Sequence, residues 1–174
     1  MILRLTSLVL ILLIILGMGN SILLGGSGRE LTWHRYHDAL ALANQESRHI
    51  LVRFTTKWCV FCRKMDETTY RDSAVVAILN KHFALAKVDG DSYNLVQLAN
   101  GNITEKGLTR QYGIRGYPTT WFLEPDGSKI APVTGYIDQI KLKFILDFVA
   151  TDSNEKMSFK EFVEQERRKA AQQQ

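Results

Sequence analysis

Apolar side chains recur along residues 29–150 with two different periods, and together they predict a domain that mixes helices with strands. Residues 31–48 have helical spacing, with Thr32 as the expected N-cap. The runs HILVRFTT at 49–56 and FALAKVD at 83–89 are β-branched or aromatic, which is typical of strands. This part of the chain therefore predicts a helix followed by two strands.

The rest of the region continues the alternation of elements. Helices are predicted at 59–69, at 73–81 with Ser73 as cap, at 108–114 and at 138–150, and a hairpin at 119–135 around Pro125-Asp126-Gly127. The polar stretch from Gly90 to Gly107 is interpreted as a connection. The last helix is expected to pack through one face, formed by Ile140, the Lys141 stem, Phe144, Ile145, Phe148 and Val149. The order predicts an α/β fold, with a central mixed sheet flanked by helices on both faces.

A helical extension is predicted after the domain, at 151–174. Ser158 and Glu161 match a capping box at its start. Phe159, Phe162 and Val163 give this short C-terminal helix an apolar edge. We expect that edge to dock on the domain.

The N-terminus is a hydrophobic stretch that predicts export. Arg4 precedes the unbroken apolar run Leu8–Leu16, the order of a secretory signal. Ile22–Leu24 extend the apolar character until a helix could just span a bilayer. Residues 1–28 are thus a signal peptide or a membrane anchor, and both alternatives stay open. The protein is expected to be periplasmic or otherwise extracytoplasmic, either secreted or held at the inner membrane by residues 1–24.

Charge and composition exclude one class of partner. The formal net charge of +4 is spread along the chain, without a basic stripe or a set of interleaved aromatic side chains. Nucleic-acid binding proteins usually have such a stripe. The sequence predicts no nucleic-acid partner.

The two cysteines of the chain, Cys59 and Cys62, form a C-x-x-C motif that suits several chemistries. Haem attachment needs a histidine after the second cysteine, where Arg63 stands. A zinc site needs further ligands, and the one close histidine pair, His34 and His37, lies on another predicted helix. A structural disulfide closing so short a loop would stabilise the chain little. Redox exchange is favoured, with no metal and no cofactor.

The expected position of Cys59, between a strand and a helix, favours a thiolate. Free N–H groups and the dipole at a helix N-terminus stabilise negative charge. Lys57 lies two residues before Cys59, and Arg53 and Arg63 are also close in sequence. Cys59 is therefore predicted to be a readily ionised nucleophile, and Cys62, one turn on, to lie further inside.

Two motifs in the correct order resemble the thioredoxin superfamily. WCVFC at 58–62 and YGIRGYPTTWFLEPDGSKI at 112–130 look like its two signatures, and the resemblance covers residues 31–150. Within the superfamily the chain is most similar to periplasmic thiol:disulfide reductases, namely SoxW-type thioredoxins and the C-terminal domain of DsbD. The resemblance implies a thioredoxin-like fold.

The resemblance also implies roles for individual residues. Cys59 would be the attacking thiolate and Cys62 the resolving thiol. Tyr117 and Pro118 would form a cis-proline pair that presents backbone to a substrate peptide. Active-site shaping is implied for two further residues, Trp58 and Thr119.

Arg53 departs from the family pattern. Many thioredoxins have a buried acid six residues before the first cysteine, where this chain has Arg53. If Arg53 points inward, it cannot serve as a general base and would stabilise thiolates. If it points outward, the proton of the second thiol must go elsewhere.

The function implied is reduction of protein disulfides through a mixed disulfide. Its partners would be disulfide-containing exported proteins and a membrane electron donor of the DsbD or CcdA type. Two alternatives remain open: a disulfide-donating oxidase or isomerase that uses the same cysteines, and a thioredoxin-fold module that binds peptides as a chaperone does.

Overall fold

The structure is a computed structural model that describes residues 30–172. The predicted export segment 1–28 lies outside the described residues. Among residues 30–172, no helix combines the length and the apolar character that crossing a membrane requires.

The described residues contain six α-helices and six β-strands. They are α1 Tyr36–Glu46, β1 His49–Thr55, α2 Val60–Glu67, α3 Ser73–His82, β2 Phe83–Asp89, β3 Leu95–Leu98, β4 Gly101–Thr104, α4 Glu105–Gln111, β5 Thr119–Leu123, β6 Lys129–Thr134, α5 Gln139–Ala150 and α6 Phe159–Gln172. The main sheet has the order β2-β1-β5-β6, in which β1 and β2 are parallel and the other pairs antiparallel. The predicted α/β fold with a central mixed sheet between helices is therefore confirmed.

Strand β1 is buried along its whole length, and it sends alternate side chains to two cores. Ile50, Val52 and Phe54 enter a cluster with residues of α1 and α4. Leu51 enters the opposite cluster, which contains residues of α2, α3 and α5. By this alternation the side chain of Arg53 belongs to the second face, beneath α2.

Two helix starts differ from the prediction. Helix α1 begins at Tyr36, and Thr32 does not cap it, because His34 pairs with β2 instead: its N–H donates to the Leu85 carbonyl at 2.8 Å. Helix α3 is capped by Asp72 and not by Ser73. The Asp72 carboxylate accepts hydrogen bonds from two N–H groups of the first turn.

A hairpin in the polar stretch 90–107 was not predicted. Strands β3 and β4 pair antiparallel there, from Leu95 opposite Thr104 to Leu98 opposite Gly101. Val96 is its one buried apolar side chain, whereas Leu95 is 60% exposed. The hairpin therefore lacks the alternation that identifies strands in a sequence.

The C-terminal helix α6 begins with the predicted capping box. The Ser158 N–H donates to the Glu161 carboxylate at 2.9 Å, and the Glu161 N–H donates to Ser158 Oγ at 3.3 Å. The Ser158 hydroxyl also donates to the Glu161 carboxylate, at 2.7 Å. The hydroxyl and N–H bonds that this carboxylate accepts from Ser158 lower the pKa of Glu161. The ring of Phe148 in α5 packs against those of Phe159 and Phe162, with centroids 5.4 and 5.3 Å apart. Helix α6 therefore docks through its apolar edge, as expected.

The predicted face of α5 was partly wrong. Ile140 is 67% exposed, whereas Leu142 and Leu146 are fully buried beside Ile145 and Val149. The stripe that faces the sheet is therefore rotated from the predicted one. Phe148 contacts Phe159 of α6 as well as the core, so the apolar side chains of α5 do not all face the sheet.

Candidate active site

Cys59 stands where β1 passes into α2. Its N–H donates to the Thr56 carbonyl at 3.2 Å, and it forms the N-cap of α2. Its Sγ accepts a hydrogen bond from the Cys62 N–H at 3.1 Å. The two cysteines form a disulfide, with their Cα atoms 5.2 Å apart. An N–H of the first helical turn thus donates to the sulfur that would carry negative charge after reduction.

The sulfurs lie below a rim of exposed apolar side chains. Cys59 and Cys62 are 3% and 2% exposed. The two cysteines are thus almost equally buried, whereas Cys62 was expected to lie further inside. Trp58, Val60 and Phe61 are each more than half exposed around them. Exposed apolar groups of this kind suit contact with another chain.

The Tyr117–Pro118 loop lies beside the end of β1. Phe54 pairs with Thr119, which places the start of β5 next to the strand end that leads to the cysteines. The Tyr117–Pro118 peptide bond is cis. The rings of Trp58 and Tyr117 meet edge to face, with centroids 5.8 Å apart. The structure thus brings together the two sequence motifs.

The hydroxyl of Thr119 is hydrogen-bonded within the loop that precedes β5. Its hydroxyl donates to the Gly116 carbonyl at 2.8 Å, and the buried Pro118 carbonyl accepts from the Gly135 N–H at 2.8 Å. A groove beside the loop is lined in part by Arg115, Gly116 and Thr119.

Sequence reasoning missed Gly90 and Asp91, which follow β2. Asp91 accepts a hydrogen bond from Trp58 Nε1 at 2.7 Å. Burial, with the nearby charges of Asp91 and Asp89, raises the pKa of Tyr117. A Cβ at Gly90 would lie 1.8 Å from the Tyr117 hydroxyl oxygen, so only glycine leaves room for this ring. The segment VDGD at 88–91 marks the end of a strand but does not indicate these contacts.

The substitution Gly90→Ala is expected to displace the Tyr117 ring and to lower the free energy of unfolding by about 1–3 kcal/mol, as overpacking does. In a Tyr117→Ala background the same change should cost almost nothing. Chemical denaturation of the four proteins measures the coupling. Gly116→Ala is the matched control, because a Cβ there meets nothing within 4 Å. An equal cost for Gly90→Ala with and without Tyr117 would contradict this geometry.

Arg53 points inward and is fully buried. Its guanidinium lies 5.7 Å from the Trp33 ring centroid and 5.0 Å from that of Tyr70, within cation–π range. Nη2 donates to the Cys62 carbonyl at 2.7 Å. Both guanidinium Nη atoms contact the carboxylate of Asp66, a residue that sequence reasoning did not identify.

This arrangement decides between the two orientations considered for Arg53. As an inward arginine it cannot act as a general base. Its positive charge is countered directly by Asp66, and its contact with the cysteine pair is to a carbonyl. Lys57 is exposed, so its charge is screened by solvent.

Comparisons with known proteins agree with this geometry. The family model of the thioredoxin-like domain matches residues 36–150. The chain is 28% identical over 103 residues to the disulfide bond reductase DsbH of Chlamydia pneumoniae, covering 59% of this chain and 61% of that one. It is 29% identical over 100 residues to the thiol:disulfide interchange protein DsbD of Vibrio vulnificus, covering 56% of this chain and 15% of that one.

A solved structure gives the same result for the fold. A thioredoxin from Thermus thermophilus superposes with a TM-score of 0.58 at 27% identity, covering 69% of this chain and 87% of that one. The match spans less than two thirds of the length of DsbH and of DsbD.

Proposed function

Since this chain belongs to the thioredoxin-like domain family, we propose that it is an extracytoplasmic thiol–disulfide oxidoreductase that reduces disulfides in other proteins. The observation that carries the proposal is the Cys59–Cys62 disulfide at the start of α2, where the Cys62 N–H donates a hydrogen bond to Cys59 Sγ. A C-x-x-C pair at a helix start in this fold is typical of thiol–disulfide exchange.

The proposed reaction proceeds through a mixed disulfide. The Cys59 thiolate attacks one sulfur of a substrate disulfide and releases the other as a thiolate, which takes up a proton. The Cys62 thiol loses its proton and attacks Cys59, which releases the reduced substrate. Two electrons pass to the substrate, and the enzyme is left with the Cys59–Cys62 bond. Because Arg53 cannot accept a proton, water or another group must take the one from Cys62.

The charged side chains around the cysteines give little support to the oxidising direction. Stabilised thiolates favour the reduced enzyme and make a pair oxidising. The positive charge of Arg53 would act in that sense, but Asp66 neutralises it at contact distance. Asp91, hydrogen-bonded to Trp58, adds a negative charge at the rim. These contacts weaken the electrostatic argument for an oxidase.

Substrate binding is proposed at the apolar rim and the proline loop. Trp58 and Tyr117 would flank an extended peptide, and the backbone before Pro118 would pair with it. Thr119 would hold the loop in shape through its bond to Gly116. A rim of exposed apolar side chains suits a protein substrate better than a small charged thiol.

Location and partners complete the proposal. Residues 1–28 would direct the domain at 29–150 to an oxidising compartment, with 151–174 as its helical extension. There the pair needs an electron source, for which we propose a membrane donor of the DsbD or CcdA type. The similarity to DsbH, a disulfide bond reductase, and to DsbD, a thiol:disulfide interchange protein, supports the reduction of disulfides.

A Cys62→Ser variant tests the proposal. It keeps the attacking thiol but cannot resolve the intermediate, so it should accumulate covalent adducts with disulfide-containing exported proteins that disappear on treatment with dithiothreitol. Cys59→Ser should give none. If the double serine variant binds peptides unchanged and Cys62→Ser traps no adducts, the peptide-binding alternative is favoured.

A further inference from the structure

A second cluster of chemically capable side chains lies away from the cysteines. His49, Glu124 and Asp152 each offer one ligand atom, and these three atoms lie within 4.8 Å of one another. His49 is the first residue of β1, Glu124 follows the end of β5, and Asp152 follows α5. Because the cysteines follow the other end of β1, this site is separated from them by about 20 Å of strand.

The backbone holds all three residues in place. The Glu124 N–H and carbonyl are both hydrogen-bonded within the turn between β5 and β6, to Ser128 and Gly127. Asp152 is in the left-handed conformation, with φ 52°, and its N–H donates to the Val149 carbonyl at 3.0 Å. His49 packs against the Phe83 ring at 6.0 Å. The ligand atoms are therefore presented by fixed elements.

His49 is close to both carboxylates, but the direction of its ring nitrogen does not fit simple hydrogen bonding. His49 Nε2 lies 3.1 Å from Glu124 Oε2 and 3.3 Å from Asp152 Oδ1. The residue is 9% exposed, and this buried nitrogen has no hydrogen-bond partner, so neither oxygen accepts a proton along the N–H direction. Ligand atoms around a tetrahedral Zn²⁺ ion, bound at about 2.0–2.2 Å, stand about 3.3–3.6 Å apart. The distance from His49 to Asp152 meets this range, and the distance from His49 to Glu124 is slightly shorter.

The charges favour a cation as well. Within residues 30–172, neither Glu124 nor Asp152 forms an ion pair with a lysine or arginine. Two carboxylates thus converge on one imidazole, which leaves negative charge unbalanced even if His49 is protonated. Asp152 is 56% exposed at its side chain, so water can complete the coordination.

We propose that His49, Glu124 and Asp152 form a binding site for a divalent transition-metal ion, with Zn²⁺ the ion that this donor set suits. Imidazole nitrogen and carboxylate oxygen are both ligand atoms that bind Zn²⁺ in proteins. The ion would join the start of β1, the end of β5 and the segment that leads into α6, so its role would be structural. Sequence reasoning predicted no metal, because the three ligands are far apart along the chain.

Calorimetric titration of Zn²⁺ into the tag-free full chain tests the site, with the cysteines held as a disulfide so that thiols cannot bind the ion. One equivalent should bind. Asp152→Asn is the decisive variant, because asparagine tolerates the left-handed conformation, and it should bind at least about 10-fold more weakly. Glu155→Gln makes the same change of charge three residues on and should bind as the wild type does.

Imidazole ¹⁵N spectra identify the ligand, since Zn²⁺ should shift the Nε2 signal of His49 among the four histidines. The proposal is overturned if no saturable binding occurs below about 1 mM Zn²⁺. It is also overturned if Asp152→Asn binds as tightly as the wild type, or if the signal of His49 does not move. Disulfide exchange is measured separately, so this site can fail while the proposed function stands.

Discussion

Replacement of Cys59 by serine is expected to lower the rate of insulin disulfide reduction by at least about 10³-fold, the scale seen when an essential nucleophile is lost. Thiolate is the species that attacks sulfur, and a serine hydroxyl stays protonated at neutral pH. The remaining Cys62 is as buried as Cys59, but it does not occupy the N-cap position that receives the helix N–H. It should therefore be a poor substitute.

Cys62→Ser is the matched control for this experiment. It also removes the disulfide, so any loss of stability is shared by the two variants. It should still form the mixed disulfide, whereas Cys59→Ser should not. Retention of more than about a tenth of the wild-type rate by Cys59→Ser would exclude Cys59 as the nucleophile.

Asp66→Ala is expected to lower the free energy of unfolding by about 2–4 kcal/mol, because it leaves the guanidinium of Arg53 buried without its carboxylate. Arg53 is fully buried at its side chain, while Asp66 is 41% exposed, so solvent relieves only part of the cost. Adding Arg53→Met removes the unpaired buried guanidinium and should recover part of the lost free energy of unfolding.

Chemical denaturation of the two single variants and the double variant measures this coupling. Glu67→Ala is the control, because Glu67 is acidic and exposed and follows Asp66 directly. This substitution should change the free energy of unfolding by no more than about 0.5 kcal/mol. If Asp66→Ala behaves like Glu67→Ala, the ion pair does not hold Arg53 in its place.

Much of the fold was predictable because its apolar periods are strong. Strands β1 and β2 and the hairpin of β5 and β6 coincide with the predicted runs. The hairpin of β3 and β4 was missed because it buries a single apolar residue, Val96. Local patterns also misplaced the caps of α1 and α3, since His34 bonds to β2 and Asp72 competes with Ser73.

The site was predictable where its residues form motifs and not where they meet through the fold. Cys59, Cys62 and the loop at Tyr117–Pro118 are named by short motifs. Asp66 lies one helical turn from Cys62, yet its pairing with Arg53 depends on which way a strand side chain faces. Gly90 is required by a ring 27 residues along the chain, and no local pattern announces such a contact.

The reduction potential of the Cys59–Cys62 pair, equilibrated against glutathione, tests the central claim most directly, because it fixes the direction of exchange. A reductase of this fold should lie near the potential of thioredoxin, about −270 mV. At such a potential glutathione leaves most of the enzyme oxidised, and electrons must come from a stronger donor. A value above about −230 mV, toward the range of disulfide isomerases and oxidases, would contradict the proposed reductase.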